Sequence, residues 1–158
     1  YHLPSKLVGP EYYKFGFVRD PVSWYWSIFN FQQEKLTKFH AAFFDTMITG
    51  ENINEYLQNV KKFDRARVRM MNMYNQVFSI GDELECKNIF KYENLYDGLF
   101  EALKENGIDA SELIEQEKEN KINFTTSYKW PKMTKESLEF IYESCKEIYD
   151  KFEYERKK

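Results

Sequence analysis

The run Lys14-Phe-Gly-Phe-Val18 passes through Arg19-Asp20-Pro21 into the aromatic-rich Val22-Ser-Trp-Tyr-Trp-Ser27. That join constrains the fold more than any other feature of the chain. A short aromatic and β-branched run reads as a buried strand. Asp20 is a good helix cap and Pro21 suits the first helical position, so a helix is predicted from there to about residue 34. Arg19 is thereby left at the carboxyl end of the strand. Open α/β sheets bind their ligands beyond that end.

The remaining patterns point to the same class. Further helices are predicted near 36–48, 53–71 and 95–105, with Gly107 as the stop of the last. Asn88-Ile-Phe-Lys-Tyr92 reads as a second short strand. Residues 109–120 are acidic and carry a weak helical turn or two, while 121–133, with Pro131, read as an ordered loop. The final helix is the clearest element. Thr134 caps it and Glu136 favours its positive end. Leu138, Ile141, Tyr142, Cys145, Ile148, Tyr149 and Phe152 form one apolar face. Strands separated by helices predict an α/β fold, rich in helix, with a small parallel sheet.

With 158 residues, 42% of them hydrophobic and 18% aromatic, the chain can bury a core as one domain over 1–158. A net charge of −3 gives no global attraction to nucleic acid or anionic lipid, so any anion site must be local. No apolar run approaches the ~20 residues of a membrane span, and no signal peptide is visible. Cys86 and Cys145 are too few for a disulfide framework and no His/Cys spacing suggests a metal. They read as ordinary thiols, with a single bridge left open.

Ser27 follows Arg19 by eight positions, roughly 9–10 Å along the helix from its start at ~1.5 Å per residue. A guanidinium offers a planar fork of donors that suits phosphate oxygens. A phosphate lying on the helix flank could take the Ser27 hydroxyl while Arg19 reaches over from the strand end; Ser23, one turn earlier, shares the face. The plain alternative pairs Arg19 with a structural carboxylate and uses Ser27 for a tight helix contact. Spacing leaves both open. The one basic cluster, Lys61, Lys62, Arg65, Arg67 and Arg69, reads either as a guide for an anionic acceptor or as a solvated face balanced by nearby acids. The acidic net charge argues against a nucleic-acid role for it. Met70, Met71 and Met73 read as core filling, and His40, amid Phe39, Phe43 and Phe44, as structural.

The segment FGFVRDPVSWYWSIF resembles the 3′-phosphate-binding segment of the sulfotransferases that use 3′-phosphoadenosine-5′-phosphosulfate (PAPS). In that family a strand ends in Val-Arg-Asp/Asn-Pro and a serine follows the arginine by eight positions. YHLPSKL with GPEYYKFGFVRDP is similar to the segment preceding that motif in the carbohydrate (Golgi-type) branch and its bacterial and viral relatives. IFKYENLYDGLFEALKENGI resembles the family's strand and Arg-Tyr-Glu-Asp/Asn-Leu turn, with Lys91 in place of the arginine. KINFTTSYKWPKMTKESLEFIYESCKEIYDKFEYE resembles its C-terminal Asn-x-Ser/Thr loop and closing helix. The four stretches occur in the family's order and cover nearly the whole chain. One departure is Trp24, where many members carry a second arginine.

The resemblance implies a P-loop-like sulfotransferase fold in which Arg19 and Ser27 hold the 3′-phosphate of PAPS. It further implies His2 as general base, with Lys121, Thr125 and Thr126 near the nucleotide. The partners would be the nucleotide sulfate donor and a hydroxyl or amine of a carbohydrate-like acceptor, with no metal. Tyr92, Glu93 and Asn94 are expected to tie the second strand to its neighbours. The alternative is a degenerate member that keeps the fold as a binding or interaction protein. A cytoplasmic setting is expected, or the Golgi lumen for a eukaryotic member. None of the six glycines sits in a phosphosulfate-cradling loop. The family's strand–loop–helix of that kind would precede the His2 segment, so a truncated domain is expected. These 158 residues alone are then predicted to transfer no sulfate and to bind PAPS weakly; turnover of a sulfate acceptor by them would overturn that expectation.

Overall fold

In the computed structural model the described residues are 7–9, 11–35, 48–64, 68–80, 83–84, 86, 88–120 and 132–156. Strand β1 (Phe15–Val18) leads into helix α1 (Pro21–Lys35) across Arg19 and Asp20. The predicted cap is in place. Asp20 Oδ1 accepts from the Ser23 amide at 2.8 Å and from the Ser23 hydroxyl at 2.8 Å. Pro21 needs no partner for an amide hydrogen it lacks. Val22, Tyr25 and Phe29 follow at helical spacing and are buried, which sets the inward face of α1.

The expected parallel sheet is present and two-stranded. β4 (Asn88–Lys91) pairs parallel with β1, with Phe15 opposite Asn88 and Val18 opposite Lys91. A short antiparallel pair, β2 (Ser79–Ile80) and β3 (Glu83–Leu84), precedes it, and the sequence pattern did not announce it. Gly16 has a packing reason in β1: a Cβ there would meet Phe78 Cε1 at 2.3 Å.

The predicted helix over 53–71 is two helices, α2 (Ile53–Lys61) and α3 (Met70–Phe78). Past Val60 the apolar row fails, because Phe63 faces solvent and its neighbours are charged. Arg69 turns the chain instead. Its extended backbone starts α3, while its Nη2 donates to Lys61 O at 2.8 Å and pairs with Asp64 at 2.9 Å. α4 (Leu95–Glu105) has the predicted bounds and follows a 3-10 turn at Tyr92–Asn94. Gly107, at φ 72°, ends α4 as expected, with its amide on Lys104 O and the Ile108 amide on Leu103 O, both 3.0 Å. The acidic stretch forms a fuller helix than predicted, α5 (Ser111–Asn120), opened by Asp109 accepting from the Ser111 amide at 3.1 Å. The expected helix over 36–48 and most of the 121–133 loop lie outside the described residues.

The final helix is divided into α6 (Lys135–Ser144) and α7 (Lys146–Phe152) at Cys145. Ser144 Oγ donates back to Ile141 O at 3.3 Å, the carbonyl that also receives the Cys145 amide at 3.0 Å. Such back-bonding bends helices. Thr134 caps α6 as predicted, its hydroxyl accepting from the Ser137 amide. Both thiols are free and buried, and burial pushes Cys145 up to about 12.

The core joins α1, α2, α3, α6 and α7 through Tyr25, Tyr56, Leu57, Val60, Met70, Ile141 and Ile148. Aromatic rings interlock across it: Tyr25 with Phe140 at 6.2 Å and Phe29 with Tyr56 at 5.6 Å. After α7, Glu153 takes a left-handed conformation at φ 50° and delivers Tyr154 to the β1–α1 join. The Tyr154 hydroxyl shares its proton between Glu93 Oε2 at 2.7 Å and Val18 O at 3.0 Å. The other carboxylate oxygen of Glu93 accepts from the Asp20 amide at 2.9 Å. Tyr154→Phe is therefore expected to cost about 1 kcal/mol, the scale of one net hydrogen bond, read as a lower urea midpoint at unchanged slope.

Candidate functional site

Arg19 is fixed by its neighbours rather than by a carboxylate. β1 ends at Val18, and Asp20 is committed to the α1 cap and to Glu93. That leaves the Arg19 side chain at the carboxyl end of the parallel pair, its Cζ 5.3 Å from the centroid of the Tyr92 ring. Such a cation–π contact orients a guanidinium without neutralising it. Among the described residues Arg19 enters no ion pair. The structural-carboxylate alternative for Arg19 is thus not what the described residues show.

Ser27 faces the same space. Arg19 and Ser27 both line a cavity of about 380 Å³. On the α1 side Trp24 and Ile28 flank Ser27 at spacings of three and one, so a single helix face is presented. The opposite wall is α3, contributing Met70, Met73, Tyr74, Val77 and Phe78 at i, i+3, i+4, i+7 and i+8. Phe17 and Val18 of β1, with Tyr92 and Leu95, complete the lining. The Ser27 hydroxyl makes no hydrogen bond among the described residues, and Ser27 lines the cavity.

Ser23 is placed differently. Its hydroxyl is held by Asp20 at 2.8 Å and it does not line the cavity. Its role is to secure the cap that aims Arg19. The cation of Lys91, which pairs with Val18 across the sheet, lies 5.0 Å from the centroid of the Tyr154 ring. Burial first, and then the neighbouring Glu93 carboxylate, push the Tyr154 phenol up, so it stays a donor at the join. Tyr74, on the α3 wall, is likewise raised by burial, to about 12, and receives a bond from Lys151 Nζ at 3.3 Å.

His2, Lys121, Thr125 and Thr126 lie outside the described residues, as do His40, Arg65 and Arg67. Of the remaining basic cluster, Lys61 pairs with Glu136 at 3.6 Å, Lys62 donates to Asn59 at 2.9 Å and Arg69 pairs with Asp64. Lys61 and Arg69 thus have acids as partners and Lys62 an amide, while Arg69 also lies over the Phe140 ring and is mostly buried. Among the described residues no three His, Cys, Asp or Glu side chains stand together as metal ligands, and no helix is long and apolar enough to cross a membrane.

Three lining residues had been read otherwise from sequence. Tyr92 read as a tie and lies beside Arg19; Trp24 read as a departure and stands on the cavity face; Met73 read as core filling and forms part of a wall. The 70–73–74–77–78 spacing marks one ordinary apolar helix face, which does not by itself distinguish a core contact from a cavity wall. Comparison with family models, curated proteins and solved structures finds no match to this chain. The two serines should separate cleanly in stability. Ser27→Ala is expected to change unfolding free energy by under about 0.5 kcal/mol, whereas Ser23→Ala should cost about 1 kcal/mol. Paired chemical denaturation of the two variants reads the difference.

Proposed function

We propose that this protein is the catalytic portion of a PAPS-dependent sulfotransferase, with Arg19 and Ser27 as ligands of the 3′-phosphate of the donor. The observation that carries this reading is a guanidinium with no ion pair and a hydroxyl with no hydrogen bond among the described residues, both lining one cavity at the carboxyl end of a parallel strand. Charge-assisted bonds from arginine suit a phosphate dianion, and a hydroxyl adds one neutral donor of matching reach. The order of the four sequence stretches supplies the rest of the argument.

PAPS supplies an activated sulfuryl group whose bond to the 5′-phosphate oxygen breaks as the acceptor oxygen attacks in line. The electron pair of that bond leaves with adenosine 3′,5′-bisphosphate. The chain's own groups have simpler tasks. Arg19 and Ser27 bind and orient the donor through the phosphate that distinguishes it from ATP-like nucleotides. His2 takes the acceptor proton, a role open to an imidazole with a pKa near 6.5. Lys121, Thr125 and Thr126 add charge and hydroxyl donors beside the nucleotide. The acceptor class, following the resemblance, is a carbohydrate-like hydroxyl or amine.

A degenerate relative that only binds would keep the 3′-phosphate site and show no turnover. The test therefore begins with binding. In titration calorimetry Arg19→Ala should weaken adenosine 3′,5′-bisphosphate by about 1.5–3 kcal/mol, the scale of a charged hydrogen bond. AMP, lacking the 3′-phosphate, should be nearly unaffected. Equal losses for the two nucleotides would count against the assignment.

A further inference from the structure

We propose that the Arg19 cavity selects anions that carry an apolar body, with Trp24 and Met73 selecting the body while Arg19 and Ser27 hold the charge. This rests on the anion-binding reading of Arg19 and Ser27, and it does not depend on which anion the donor is. The composition of the lining carries the argument. One guanidinium and one serine hydroxyl are the donors built for a phosphate, and most of the rest is ring, thioether or branched alkyl. A site for a bare phosphate or a hexose phosphate would need polar partners for every hydroxyl it strips of water, whereas a nucleotide 3′-phosphate brings one free ribose hydroxyl and a ring beyond it. Here such hydroxyls would meet Met73, Ile28 and Val77.

Size agrees with charge. A volume of about 380 Å³ exceeds the needs of a tetrahedral anion and falls within the range of small-molecule sites. The α3 wall is adaptable, since a methionine side chain is unbranched and polarizable and fits rings of differing outline. Trp24 stands edge-on to Tyr25, their centroids 5.0 Å apart, which holds the indole in place at the cavity. Tyr92 steadies Arg19 from the other side. The result is a charged contact fixed at one place and an apolar wall beside it.

Binding measurements on this chain with three probes test the proposal: p-nitrophenyl phosphate, inorganic phosphate and glucose 6-phosphate. The aryl phosphate should bind at least about tenfold tighter than either of the others, the gain expected for burying one ring. Arg19→Ala should weaken all three. Met73→Gln should bring the aryl advantage to within about twofold while leaving inorganic phosphate unchanged. Met73→Leu, which keeps an apolar wall, should retain the advantage and controls for folding. Trp24→Arg should tighten inorganic phosphate and narrow the gap. Equal affinity for aryl and inorganic phosphate would overturn the proposal, as would an aryl preference indifferent to Arg19→Ala or to Met73→Gln. Adenosine 3′,5′-bisphosphate provides the separating arm. If it binds while the aryl phosphate does not, this inference fails and the donor reading stands; if no anion binds, both fail.

Discussion

The architecture depends on one carboxylate. Glu93 leaves the end of β4, accepts the Asp20 amide with one oxygen and the Tyr154 hydroxyl with the other. It thereby links three segments far apart in sequence: the β1–α1 join, the turn after β4 and the chain beyond α7. A two-stranded parallel pair has little stability of its own. The hydrogen bonds at its carboxyl end, together with the aromatic core on α1, make the corner rigid. Asp20 is thereby engaged through both its backbone amide and its side chain.

Arg19, in a partly enclosed position, enters no ion pair among the described residues. Asp20 and Glu93, the acids at this join, bond to backbone amides, a serine and a phenol. Arg19 is left with a ring face and a cavity. A charge retained this way is expensive in an apolar site unless solvent or a ligand meets it. Perturbed or unpaired ionisable groups in clefts are for that reason good markers of binding sites.

The join itself was legible because each residue in it has a narrow conformational meaning. Asp20 and Pro21 fix a helix start, Gly107 fixes a stop, and Thr134 fixes another start, and all three hold in the structure. The strand expected over Asn88–Tyr92 is present as Asn88–Lys91, with Tyr92 already in the following turn, and its parallel pairing followed from the intervening helices. The division at 62–69 was less visible, since Phe63, Val68 and Met70 continue an apolar rhythm in sequence although Phe63 is exposed in the structure. The bend at Cys145 depends on where a serine hydroxyl points, which no periodicity encodes. Within the site, Arg19 and Ser27 could be singled out by type and spacing, and both line one cavity. The wall could not, because a methionine stripe looks the same whether it packs on core or borders a cavity.

Tyr154 reaches back across 136 residues to the carbonyl of Val18. During synthesis at roughly 10 residues per second, the strand bearing the proposed anion ligand waits more than about ten seconds for that clasp. Until Tyr154 emerges, the corner has its cap and not its lock. The nascent chain therefore passes through a long interval in which α1 can form locally while the contacts of Tyr154 with Val18 and Glu93 are still missing.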